Sequence, residues 1–177
     1  MRRLIIALTL MLALAVPASA QRLNLDFPGL ADRADEVVDV TLDASMLRLA
    51  AKFLTGKDPD ERAVRDMISG LEGIYVRSYE FAKEGEYDIK LIDRVKSQLG
   101  PNWKPLVTVR SKTKENVNIM VDLRGERVHG LVIIAAEPRE FTVVNIVGAI
   151  DVDRLADLQG EFGIPRFMKD HDHDEDE

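Results

Sequence analysis

Two long apolar runs constrain this chain most: Val128–Ala136 and Phe141–Ile150, separated only by Glu137-Pro138-Arg139-Glu140. β-Branched residues dominate both, as they do in strands buried within a sheet. Proline and its charged neighbours suit a tight antiparallel hairpin between them. Asp151 is placed to end the second run and to cap a short helix carrying Leu155 and Leu158, with Gly160 as its stop. None of these residues carries chemistry, so the strongest structural signal is silent on function.

Upstream, the pattern alternates between strand and helix. Gln21 to Asp35 reads as a polar lead-in with Pro28-Gly29 as a turn, and Glu36 to Leu42 as a first strand. Asp43 can cap a helix in which Met46, Leu49, Ala50, Phe53 and Leu54 recur at helical spacing. Asp58-Pro59-Asp60-Glu61 restarts a second helix with Val64, Met67, Ile68 and Leu71 as its apolar stripe. Gly73 to Phe81 has strand composition, and Tyr87 to Leu99 is a third helical stretch with Ile89, Ile92, Val95 and Leu99 inward. Pro105–Ser111 and Glu115–Leu123 follow as strands joined by Lys112-Thr113-Lys114. In the second of these, Val117, Ile119, Val121 and Leu123 alternate with Asn116, Asn118, Met120 and Asp122, which predicts that the polar set is mostly solvated. The expected fold is α+β: a largely antiparallel sheet of about six strands, with four helices packed mainly on one face.

The first twenty residues read differently. Arg2 and Arg3 precede an apolar run from Leu4 to Val16, Pro17 breaks it, and Ala18-Ser19-Ala20 offers small residues for cleavage. This is the pattern of a secretory signal peptide, with a run too short for a membrane span. Cleavage after Ala20 would leave an exported, soluble chain of 157 of the 177 residues, periplasmic or extracellular. The remainder divides into the lead-in 21–35, one domain over 36–167, and an acidic tail over 168–177. No second apolar span follows.

The chain has no cysteine, so an exported protein of this kind rests on packing rather than disulfides. Thiol nucleophiles and cysteine-ligated metals are excluded with it. The formal charge is −7, or −9 without Arg2 and Arg3, and six of the acids lie in the last eight residues. A body so nearly balanced argues against nucleic acid as a partner.

Four segments carry a resemblance: VDVTLDASMLRLAAKFL, GLEGIYVRSYEF, VRSKTKENVNI and, most strongly, GLVIIAAEPREFTVVNIVGAIDVDRLADL. Together they resemble the bacterial domain-of-unknown-function family 4252, from about Asp35 to Pro165. The resemblance implies an exported protein, often a lipoprotein, although the lipobox cysteine is missing here. Genes for extracytoplasmic sigma and anti-sigma factors lie beside some members, which implies an envelope-signalling role. The family brings no catalytic residues to carry over.

Chemistry-bearing residues are few. No nucleophile elbow, phosphate loop or cofactor motif is present. His129 lacks an orienting acid and a nucleophile identifiable from sequence, with Ser78, Ser111 and Asp122 on other strands, so its structural reading is preferred to a hydrolase site. Asp151 and Asp153 fit helix capping better than paired carboxylate chemistry. Asn145, on an otherwise apolar strand face, is expected to tether the start of the following helix or a neighbouring loop rather than to touch a ligand. His171 and His173 in the tail are weak metal candidates beside the simpler reading of a solvating tail. The best candidate working surface combines Tyr75, Arg77, Tyr79, Trp103 and Arg110, with Lys104, Lys112 and Lys114 nearby. Aromatics with arginine are the composition of protein-binding anchors, against the alternative that the rings simply cover a core. The expected role is a non-catalytic envelope interaction or signalling-accessory module whose partner is an envelope protein.

Overall fold

The computed structural model describes residues 22–54 and 56–150. In chain order they form β1 (Glu36–Asp43), α1 (Ala44–Phe53), α2 (Pro59–Ser69), β2 (Leu71–Glu80), α3 (Leu91–Lys96), β3 (Trp103–Val109), β4 (Asn116–Arg124), β5 (Arg127–Ala136) and β6 (Glu140–Ile150). The six strands make one sheet in the order β1-β2-β6-β5-β4-β3, antiparallel at every step. The expected α+β class with a largely antiparallel sheet is what the chain adopts. The leader, the helix expected at Asp151 and the acidic tail lie outside the described residues.

The two apolar runs become the β5–β6 hairpin at the middle of the sheet. Along β5, Val128, Gly130, Val132, Ile134 and Ala136 are buried while the residues between them are only half-buried. β6 repeats the alternation with Phe141, Val143, Asn145 and Val147 buried. A period of two separates the sheet into a covered face and an open one.

The covered face is closed by α3 and by the segment before β1. Leu23, Leu25, Phe27 and Leu30 join Tyr79, Phe81, Ile92, Val95, Trp103, Phe141 and Val143 in one buried cluster. Phe27 meets Phe141 edge-on at 5.5 Å between centroids. The stretch expected to be a polar lead-in therefore supplies four core side chains, each fully buried apolar residue contributing about 1.5–3 kcal/mol. Its sequence, Leu23-Asn24-Leu25-Asp26-Phe27, alternates with the period of an extended chain on an apolar surface.

The open face is read from the register. One cross-strand row runs Val40–Val76–Val144–Ile133–Ile119–Val107 over all six strands, β-branched and aliphatic throughout. The next row is Leu42–Ile74–Ile146–Leu131–Val121–Lys104. Every side chain in these two rows is half-buried or exposed.

Two expectations about side-chain direction are corrected. In β4 it is the polar set that turns toward the covered face: Asn118 is 4% exposed and Asp122 1%. Val117, Ile119 and Val121 look toward the open face. The sheet is aliphatic on both sides, so alternation could not reveal which side is covered. The inward polar groups are satisfied individually: Lys96 Nζ donates to Asn118 Oδ1, and Arg124 bonds both carboxylate oxygens of Asp122 at 2.7 and 3.2 Å. In α1 the buried residue is Leu47, while Met46, Leu49 and Phe53 are 48%, 48% and 77% exposed. The Asp43 carboxylate accepts the Ser45 and Met46 amides at 2.8 and 2.9 Å, as an N-cap does. Apolar residues surround so much of this helix that spacing alone did not select the inward stripe. The third helix is also shorter than expected, Leu91–Lys96, with Ile92 and Val95 inward as read.

Candidate functional site

Strand β2 places Gly73, Tyr75, Arg77 and Tyr79 on the covered face, opposite Val147, Asn145, Val143 and Phe141 of β6. The segment from Arg22 crosses above them. Its downstream part seals Tyr79, which is 3% exposed and meets Phe27 edge-on at 6.1 Å. Burial pushes the Tyr79 hydroxyl above its ordinary pKa, against the pull of Arg77 and with a push from Asp26.

Toward the β1 edge the cover is incomplete. The Arg22 guanidinium lies over the Tyr75 ring at 4.3 Å from its centroid, a cation–π arrangement. Arg77 pairs with Asp39 across the β1–β2 ladder, and its side chain keeps 26% exposure. These groups line a cleft of about 420 Å³ whose walls are Arg22 to Asp26, Thr41, Tyr75 and Arg77. Beneath it, the Leu23 amide donates to Asn145 Oδ1 at 2.9 Å. Asn145 is fully buried and acts as the tether that a polar residue on an apolar strand face suggested.

The other members of the expected surface lie elsewhere on the same face. Trp103 is 8% exposed, and it helps to line a separate hollow of about 380 Å³ with Lys96, Leu99, Pro105, Thr108, Arg110 and Met120. β2 and β3 are four strand spacings apart, roughly 19 Å. Tyr75 and Arg77 thus share a face, but not a site, with Trp103 and Arg110. Lys112 and Lys114 line a third hollow of about 490 Å³ beside Tyr87 and Glu137. Lys104 stands opposite Val121, in a row of the open face.

His129 sits where β5 slips register against both neighbours, between Val128 and Gly130. Ser78 belongs to a hydroxyl–carboxylate cluster with Thr142 and Glu140. That cluster lies toward the opposite end of the β6 ladder, on the order of 17 Å from Val147, which is Gly130's partner. Asp122 is on the covered face with Arg124, and Ser111 accepts the Thr113 and Lys114 amides in the β3–β4 turn. Ser78 and His129 thus stand well apart along the sheet, while Asp122 is the cross-strand partner of Gly130. Among the described residues no group of three or more histidine or acidic side chains is placed to hold a metal ion. Asp151, Asp153, His171 and His173 lie outside the described residues.

A family model described as "Domain of unknown function (DUF4252)" matches residues 32–158. The chain belongs to the DUF4252 family. Within that match lie Tyr75, Arg77 and Asn145, whereas Arg22 and the buried Leu23–Leu30 stretch precede it. Comparison with curated proteins and with solved structures gave no match. No helix of this DUF4252 protein is long and apolar enough to cross a membrane, among the described residues.

Sequence reasoning named Tyr75 and Arg77 and anticipated the Asn145 tether, but it did not name Arg22, which the structure sets over Tyr75. The signal was present in the alternation that follows it: a strand-like segment laid on the sheet carries its flanking cation to the sheet surface.

Proposed function

We propose that this DUF4252 protein is a non-catalytic interaction module acting outside the cytoplasm, and that it engages an extended segment of another envelope protein at the β1 side of the sheet. The observation that carries this reading is Arg22 stacked on Tyr75 beside a partly exposed Arg77, in a cleft that opens at Thr41 of the edge strand. Aromatic and arginine side chains in partly desolvated pockets are the residues that anchor protein interfaces.

The edge itself supports the same reading. β1 pairs with β2 in unbroken register from Glu36 to Asp43, and it has no other neighbour among the described residues. It carries no proline, no bulge and no lysine. At the opposite edge, β3 has Lys104, Pro105 and a register shift between Pro105 and Val107, which are the devices that block strand addition. A strand added beside β1 would hydrogen-bond to its free edge and set alternate side chains next to Asp39 and Thr41, within reach of the guanidiniums. The basic start, short apolar run and Ala-Ser-Ala motif support export with cleavage after Ala20.

In-cell crosslinking of the tagged protein, followed by identification of the captured species, tests this. A discrete envelope protein is expected, and its capture is lost on combining Arg22→Ala, Tyr75→Ala and Arg77→Ala in a variant that keeps its β-sheet spectrum. Undiminished capture by that variant would refute the cleft as the binding surface.

A further inference from the structure

The β3 edge of the covered face is shaped by a bulge. β3 lies at the end of the strand order, and its pairing with β4 slips: Pro105 is opposite Met120, but Val107 is opposite the adjacent Ile119. Leu106 is the extra residue and stands 61% exposed. Such a slip re-aims the side chains after it. Under an unbroken period of two, Thr108 and Arg110 would share a face with Lys104. Instead they stand with Trp103 and Pro105, and all four line the hollow of about 380 Å³ at this edge. That volume suits a small molecule.

We infer that this hollow binds a small amphipathic carboxylate, its apolar body lying on Trp103 and its charge between Lys96 and Arg110. The floor is apolar: Trp103 is buried in the core cluster, and Leu99 and Met120 pack against that cluster. The rim is cationic. The Lys96 ammonium donates to a neutral oxygen, Asn118 Oδ1, and Asn118 stands opposite Thr108. Arg110 follows on the same face, roughly 7 Å farther along the strand. Neither cation has an ion-pair partner among the described residues. Among those residues no carboxylate lines the hollow. Asp122, opposite Trp103, is already taken up by Arg124, and Asp93 of α3 is exposed outside it. A guanidinium matches a carboxylate through paired N–H bonds. An inorganic anion would meet the cations but leave the apolar floor wet, whereas an amphipathic carboxylate uses both. The hollow lies at the opposite edge from the Arg22–Tyr75–Arg77 cleft, so this inference stands independently of the proposed function.

Trp103 is the single tryptophan of the chain, so its emission reports on this hollow. The full chain is titrated with 3-phenylpropionate and with octanoate, and in parallel with 3-phenylpropylamine, acetate and inorganic phosphate. The expected result is a saturable change in Trp103 emission with at least one amphipathic carboxylate, and none with the amine, acetate or phosphate over the same concentrations. Arg110→Ala, at an exposed position, should weaken that binding about tenfold while the circular dichroism stays unchanged. Lys96→Met should weaken it to a similar degree. No saturable change with either carboxylate would overturn the inference. An equal response to the amine or to phosphate would overturn it too, as would an affinity unchanged by Arg110→Ala.

Discussion

Leu23 and Asn145 are 122 positions apart, and the Leu23 amide donates to Asn145 Oδ1 at 2.9 Å inside the core. This bond ties the segment before β1 to the middle of the sheet, and it holds Arg22 over Tyr75. Asn145 Nδ2 has no partner among the described residues, so the residue is retained at some cost in desolvation. Asn145→Ala is expected to destabilise the protein by about 2 kcal/mol. It should also accelerate hydrogen exchange at residues 22–27 more than in β5. Urea unfolding and native-state exchange measure the two effects.

A second prediction concerns Asp122, 1% exposed and bound by Arg124 through both oxygens. Removing the cation alone leaves a buried carboxylate without its main partner. Arg124→Met should therefore cost about 3 kcal/mol. Adding Asp122→Leu to that variant should recover most of the loss, because the uncompensated charge goes with it. A double-mutant cycle in urea gives the coupling directly.

Tyr87 yields a pH prediction. Its hydroxyl donates to the backbone carbonyls of Glu137 and Glu140. Burial, with the Glu137 and Glu140 carboxylates adding to it, pushes its pKa from about 10 up to about 12. A pKa raised on folding contributes stability that is complete below the unfolded value and is lost as pH climbs through the folded one. The alkaline limb of stability should accordingly fall between pH 10 and 12. Tyr87→Phe should be less stable by about 1 kcal/mol at neutral pH and show a shallower alkaline loss. Tyrosinate absorbance followed with circular dichroism resolves the two events.

The central hairpin was legible because Val128–Ala136 and Phe141–Ile150 are long, β-branched and bounded by a turn. Their pattern, apolar on both sides, is also why the β4 faces were misread. Asn118 and Asp122 look like solvent-facing residues until Lys96 and Arg124 are placed beside them, and those contacts depend on where α3 and the β4–β5 turn come to rest. The same limit applied to the candidate site. Tyr75, Arg77, Tyr79, Trp103 and Arg110 do share one face, but strand order sets Trp103 four strands from Tyr75, and no local pattern encodes strand order. Phe27 sealing Tyr79 while Arg22 stops at Tyr75 is likewise a long-range outcome. Period and capping, by contrast, are local, and the Asp43 cap was readable from the sequence.

The most direct measurement is site-specific photo-crosslinking in living cells from the two edges of the sheet. A photoreactive residue replaces Thr41, which lines the cleft on β1, or Thr108, which lies on β3. The account predicts a discrete crosslinked envelope protein from position 41, none from position 108, and loss of the product when Arg77→Ala is added. No product from position 41, or the same product from both edges, would contradict it.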